Sequence, residues 1–441
     1  MRPLFFLLLI LAYGIGFTQT ESISLSLEEA IEIAKQNNST LVNSSLDVDY
    51  AKTQVHEIRA QGLPQISGTA DISHTFEVPT QIIPGDFVGQ PGATLPVQFG
   101  VPYNANGGIG LNQLLFDGTF FLGLKAASEF VKISELSAHS SEIDLKEGVI
   151  KAYYMVLVAQ QNVEQLEKSY QNMQQLQAET QQMYNTGYAE QLDVDRIGLT
   201  VSNLSVTLTK MKNQAFLAQQ LLLNTLGVDV NQSLVLTSTL PTSLESTAPS
   251  STADFNPNDR IEIKLLDQQQ RLNKLDLKRY RVGYMPKIFG NVSVGSSTFA
   301  IQDEFSKLGN DWYGNGRYGI AMQLTLFDGF YGKAKIDQVK IKMQQTENTK
   351  KQALRGISIE LNQAINNFHD AEKTLELQKA NRTLATNIYQ TTATKFKEGM
   401  GSSFELITAD NELTESNLNY LNALYEYNVA YISIKKALGT L

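Results

Sequence analysis

The chain has 441 residues, no cysteine and a formal net charge of −9. Its acidic balance argues against a nucleic-acid surface, which needs clustered Lys and Arg, and the missing cysteines exclude a disulfide framework, thiolate metal sites and a lipidated N-terminal cysteine. Past the N-terminus no run of about 18 apolar residues occurs, so no transmembrane helix is expected.

The opening MRPLFFLLLILAYGIGFTQT places Arg2 before an apolar run from Leu4 to Tyr13, then small and polar residues. This is the pattern of a secretory signal peptide, assigned to residues 1–19, and the mature chain is expected to be exported. Next, SLSLEEAIEIAKQNN carries a capping box in which Ser26 caps the backbone and Glu29 reaches back to it. A helical segment over residues 40–61 leads to Pro64. In QISGTADISHTF, Ile66, Gly68, Ala70, Ile72 and His74 then share one face, with Ser67, Thr69, Asp71 and Ser73 on the other. Strands are expected at about 65–76 and 106–116, separated by a proline-rich loop, with the second ending at LLFDGTF.

No proline occurs from Tyr103 to Leu240. That permits a helix of roughly 65 residues, about 100 Å long, up to a turn near residue 187, and a returning helix of roughly 38 residues. The returning helix shows a coiled-coil period: Ile197, Val201, Leu204, Leu208, Met211, Ala215, Ala218 and Leu222 step by alternating fours and threes. This first repeat is assigned to residues 20–228, and a Ser/Thr/Pro-rich connector to 229–257.

Residues 258–441 repeat the first half. Leu115-Phe116-Asp117-Gly118 recurs as Leu326-Phe327-Asp328-Gly329, YNTG at 184–187 as FKEG at 396–399, and Leu226-Gly227 as Leu438-Gly439, each at an offset of 211 or 212. Strands are expected at about 287–299 and 315–327, and a second hairpin tip near 399. The helix after that tip keeps the same phase through Ala409, Leu413, Ser416, Tyr420, Ala423, Tyr427, Ala430 and Ile434.

Strands with one apolar and one polar face suit a membrane barrel or a soluble sandwich equally. The count is more telling: four strands cannot close a membrane barrel, so copies must pool theirs, and three chains supply twelve. The alternative is an exported coiled-coil protein, an adaptor or a stalk, whose strands form a soluble domain.

The duplicated order, the LFDG after the second strand of each copy, ISIKKALGTL at 432–441, and the G-x₅-[DE] spacing of Gly187 to Asp193 and Gly399 to Glu405 together resemble the TolC-like outer membrane efflux protein family, in its non-lipidated branch. The resemblance covers nearly all of the mature chain. It implies an α+β membrane protein: a homotrimer with a twelve-stranded β-barrel in the outer membrane of a Gram-negative bacterium, set in outer-membrane lipid. A long α-helical coiled-coil barrel would continue it through the periplasm. It also implies an exit duct of a tripartite efflux or type I secretion system, served by a periplasmic membrane-fusion adaptor and a proton-driven or ATP-driven inner-membrane pump.

The same resemblance suggests sites. Asp193 and Glu405 follow the tip glycines by six residues, and in a trimer would ring the periplasmic mouth with carboxylates that attract cations. Acidic residues also favour the first helical turn for its dipole alone. Asp195 is a further gate candidate in the first copy, and Ile407 takes its place in the second. Tyr184 is a gate candidate as well, but its counterpart is Phe396, and Gly401 stands where the family's latch arginine would be. The exposed tips, Gly187, Tyr188 and Ala189 in one copy and Gly399, Met400, Gly401 and Ser402 in the other, are candidates for adaptor docking. Helix reversal alone would also require such glycines. Asp117-Gly118 and Asp328-Gly329 are read as strand-to-helix junctions, with the aspartates as helix caps. His56, His74, His139 and His369 lack metal-ligand spacing, and no catalytic or nucleotide-binding motif occurs. No enzymatic activity, cofactor or metal is expected, and no nucleic-acid partner.

Overall fold

The structure, a computed structural model, describes residues 23–89, 91–242, 255–301 and 308–441. The signal-peptide assignment and the middle of the connector lie outside the described residues. The chain order is β1 (Ile23–Leu25), α1 (Leu27–Asn37), α2 (Ser39–Ala60), β2 (Gln65–His74), β3 (Thr80–Pro84), β4 (Thr94–Gln98), β5 (Tyr103–Phe116), α3 (Gly118–Asn185), α4 (Gln191–Leu226), β6 (Leu234–Leu236), α5 (Ile261–Val282), β7 (Lys287–Ala300), β8 (Tyr313–Gln323), α6 (Tyr331–Lys397) and α7 (Ser403–Leu438). Two compact units form. One comprises Asp47–Glu135 and Leu265–Lys350, the other the remaining three segments, including Leu136–Lys264 and Lys351–Leu441.

The first unit holds a four-stranded antiparallel sheet in the order β2-β5-β7-β8. Register separates its two faces by chemistry. Ile66 lies opposite Leu111, Leu111 opposite Val292, and Val292 opposite Tyr318, so one face carries an apolar row running across all four strands. Asp71, Asn106, Ser297 and Tyr313 form an equivalent row on the other face, and Ser67, Gly110, Ser293 and Arg317 another. Apolar side chains on the first face stand open to solvent in the single chain: Ile72 is 71% exposed, Tyr318 87% and Ile320 76%. The outer edges of β2 and β8 have no strand partner among the described residues. Beyond β2 and β5, the proline-rich stretch expected as a loop forms the hairpin β3–β4 instead, with Ile82 opposite Pro96. Five residues on each side are enough for ladder pairing, and prolines at an unshared edge cost no ladder bond.

The two LFDG copies end differently. In the first, β5 runs through Phe116 and α3 begins at Gly118. In the second, β8 stops at Gln323, four residues short of the expected end, and α6 begins only at Tyr331. Gly329 and Phe330 both adopt left-handed backbone there (φ 63° and 67°), so the chain turns sharply outside the helix rather than passing straight into it.

The second unit is helical. Its largest core joins α1, α3, α4 and α7 through fully buried Ala30, Ala34, Tyr153, Val156, Leu222 and Leu226, with Leu421 and Leu424 beside them. The Tyr153 hydroxyl donates to the Leu25 carbonyl at 2.9 Å and accepts from the Ser238 amide at 3.1 Å. It thereby holds the parallel pair β1–β6, of which the connector contributes β6. Ile197, Leu204, Leu208, Ala215, Ala218 and Leu222 of the first coiled-coil seam are buried, as are Ala409, Ser416, Tyr420, Ala423, Tyr427, Ala430 and Ile434 of the second. At the N-terminus of α1, Ser26 accepts from the Glu29 amide and Glu29 from the Ser26 amide, closing the capping box read from the sequence.

Candidate functional site

The tips of the two helical hairpins are built alike. Gly187 and Gly399 adopt left-handed backbone (φ 80° and 73°), and the next amide in each copy reaches back to the helix it leaves. Tyr188 donates to the Met183 carbonyl and Met400 to the Lys395 carbonyl, both at 2.8 Å. Such a reversal satisfies helix-end carbonyls that would otherwise be orphaned. Tyr188 is 83% exposed and Met400 74%. Gly187, Gly399 and Ser402 are exposed too, while Ala189 and Gly401 are half-buried. A Cβ at Gly401 would lie 3.1 Å from the Phe396 amide nitrogen, so any larger residue there would press on the end of α6.

Asp193 and Glu405 occupy the same position in their copies, the third residue of the returning helix, and each completes a capping box. The Glu405 carboxylate accepts from the Ser402 amide at 3.3 Å, and the Ser402 hydroxyl accepts from the Glu405 amide at 3.2 Å. Asp193 accepts from the Glu190 amide at 3.4 Å, and its other oxygen accepts from the buried Ser403 hydroxyl, so that one copy's tip is tied to the other's. Within one chain, then, Asp193 is half-buried and engaged, while Glu405 is exposed. Asp195 is exposed and accepts from Gln191 Nε2 at 2.9 Å. Tyr184 is 40% exposed, and its hydroxyl makes no hydrogen bond among the described residues, so it is not brought together with Asp193. Phe396 packs instead into an apolar cluster with Leu176, Ile197 and Leu406.

Asp410, which the repeat pattern passes over, lies about two turns into α7. It is 2% exposed and accepts from the Ser169 hydroxyl of α3 at 2.6 Å, and Ser169 in turn accepts from Thr414 at 3.2 Å. Burial pushes its carboxyl up to about 6, against the opposing pull of the Ser169 hydrogen bond. Among the described residues it forms no salt bridge, and the nearby Tyr389 phenol is held above its ordinary range by its own burial and by the Asp410 charge.

At the junctions, Asp117 Oδ1 accepts from both the amide and the hydroxyl of Thr119 at 2.7 Å, and Oδ2 pairs with Lys287 at 3.1 Å. Burial would raise this carboxyl, but those bonds outweigh it and hold it below the usual range. Asp328 accepts from the Gly332 amide at 2.7 Å and from the Tyr284 hydroxyl at 2.9 Å, which also hold it low. Each aspartate caps the start of its helix, but Gly118 is the first residue of α3 whereas Gly329 lies in the turn before α6.

Among the described residues no group of His, Asp and Glu is arranged to hold a metal ion, and no helix is long and apolar enough to cross a membrane. The exposed apolar sheet face is where a lipid contact is expected.

Known proteins combine the same parts. The chain is 20% identical over 422 residues to outer membrane protein TolC of Vibrio cholerae serotype O1, covering 94% of this chain and 91% of that protein. It is 22% identical over 434 residues to the cation efflux system protein CusC of Escherichia coli, covering 96% and 87%. The fold superposes on the open-state crystal structure of the Neisseria gonorrhoeae MtrE outer membrane channel with a TM-score of 0.72 at 16% identity, over 94% of this chain and 88% of that one. The family model described as outer membrane efflux protein matches residues 30–228 and 265–440, both repeats, and the chain belongs to that family.

Proposed function

We propose that three copies of this chain pool their sheets into a twelve-stranded barrel in the outer membrane and their hairpins into a periplasmic conduit. The assembly is the exit duct for substrates delivered by an inner-membrane pump through a periplasmic adaptor. The observation that carries this reading is the sheet: four strands with an apolar outer face, a polar inner face and two unpartnered edges. Open edges are untenable in lipid, and head-to-tail pairing of β8 with β2 of the next copy removes them all. Two β-strands rising and two descending per chain make that seam antiparallel like the others.

The hairpin tips are the face offered to the adaptor, through Gly187, Tyr188, Ala189, Gly399, Met400, Gly401 and Ser402. Asp193 and Glu405, with Asp195 nearby, form the acidic periplasmic mouth. Tyr184 stands at the same rim without a latch partner in its own chain.

Two measurements test this. Fractionation should recover the protein in the outer membrane, and the purified protein should conduct ions in planar bilayers; a soluble periplasmic protein without conductance would sink the duct. In conducting channels, Asp193→Asn combined with Glu405→Gln should weaken block by trivalent cations added at the periplasmic side by about tenfold, since these carboxylates supply the attracting charge. Unchanged block would remove both residues from the mouth.

A further inference from the structure

The four sheet strands carry only three Asp, Glu, Lys or Arg residues: Asp71 on β2, Lys287 on β7 and Arg317 on β8. All three lie on the polar face. Lys287, at the first residue of its strand, is paired with Asp117. Asp71 accepts from Asn106 Nδ2 across the strand pair, at 3.2 and 3.3 Å to its two oxygens. The Arg317 side chain has no ion-pair or hydrogen-bond partner among the described residues, and the residue is exposed.

Its surroundings are small. The row that crosses the sheet at its level is Ser67, Gly110, Ser293 and Arg317, and its neighbours on the same face of β8 are Asn315 and Gly319. A Cβ added at Gly319 would meet nothing within 4 Å. Among the described residues of the four strands, the guanidinium is thus the one unpaired cationic group on the polar face, and the side chains beside it are short. Asp71 is displaced from it by four residues along the strands, about 13 Å, and by three strands across them, about 14 Å. Both exceed the physiological Debye length of about 8 Å, so within one chain Asp71 does not neutralise it.

We infer that Arg317 sets the charge preference of the barrel, three copies forming a cationic ring that favours anions in the last leg of the exit path. This rests on the channel reading above, in which the polar face lines the lumen. Anions leaving from the barrel are drawn through this ring after passing an acidic mouth, and multivalent organic anions are held at it. The group that would cancel the ring is Asp71 of a neighbouring copy, across the seam where β8 meets the next β2.

The test is electrical, on the full-length protein reconstituted in planar bilayers. At about 10 mM KCl, where the Debye length is about 30 Å and screening across a lumen is weak, Arg317→Gln should lower the chloride-to-potassium permeability ratio about threefold, and Arg317→Glu should lower it further. The same shift should occur in an Asp193→Asn/Glu405→Gln background, because the mouth and the ring act in series. Benzene hexacarboxylate added on the barrel side should block the unaltered channel, and Arg317→Gln should raise the half-blocking concentration about fivefold or more. Conducting Arg317→Gln channels with an unchanged ratio and unchanged block would overturn the inference. So would block that appears only in Asp71→Asn, since the arginine would then be neutralised across the seam. If the unaltered protein fails to conduct at all, the channel reading fails, not the assignment of Arg317 alone.

Discussion

Asp410 is a carboxylic acid enclosed by three helices with only hydroxyl groups for company. Its acidity sets a sign for the stability of the helical unit. The unfolded chain titrates an aspartate near 3.9, whereas the folded pocket holds it near 6. The neutral form therefore stabilises the fold fully below about pH 4, and that contribution is lost as pH rises through the folded value. Two pKa units correspond to about 3 kcal/mol at neutral pH. Asp410→Asn should accordingly melt higher than the parent at pH 7 and equal to it near pH 4, in thermal unfolding of the detergent-solubilised protein. A constant difference across that range would show that ionisation is not the cause. This residue was not legible in the sequence. Its repeat counterpart, 212 residues earlier, is Gly198, and its partner Ser169 lies 241 residues away. Asp193 and Glu405 were legible because each stands six residues past a repeated glycine. Their engagement in capping boxes, and the Ser403 bond to Asp193, depends on side-chain geometry that spacing does not encode.

Among the elements, the four helix ends that close on glycine look interchangeable in the sequence, yet they differ in what surrounds them. Gly187 and Gly399 turn in open solvent, with nothing near an added Cβ. Gly227 turns with the same backbone (φ 74°), but a Cβ there would overlap the Asn37 carbonyl where α1 gives way to α2. Asn38 locks this contact by donating to the Thr225 carbonyl at 2.8 Å. Gly187→Ala should cost about 1 kcal/mol, the penalty of left-handed backbone alone. Gly227→Ala should cost at least about 2 kcal/mol more, because backbone must shift. Urea unfolding of the two variants measures the difference, and equal losses would refute the role of the Asn37 contact. The two LFDG sequences carry a similar lesson. Identical letters give a direct strand-to-helix passage in one copy and a left-handed turn in the other, and their aspartates take different partners, Lys287 for Asp117 and Tyr284 for Asp328.

For the whole molecule, the sheet faces decide where the protein can live. Ile320 and Gly319 are adjacent, yet they lie on opposite faces, one in the apolar row and one in the polar row. Ile320→Arg should abolish assembly into the outer membrane, since arginine on the lipid face of a barrel costs about 2–4 kcal/mol per chain near the midplane. Gly319→Arg should still assemble, with altered conductance. Oligomer yield from outer-membrane fractions separates the two, and equal yields would contradict the assigned faces.

The sequence by itself determined the duplication, the long proline-free helices, the coiled-coil seams and the alternation of the strands. These are local periodicities, and each follows from how often a side chain returns to the same face of its element. It also pointed to a pooled barrel, because four strands cannot close one in lipid. Only the tertiary structure decided the rest: which rows align across the sheet, that Arg317 stands alone among small residues, that Asp410 is enclosed, and that the connector adds a strand beside β1. Those facts depend on contacts between residues far apart in the chain, and their distances are set by packing, which no single window of sequence records.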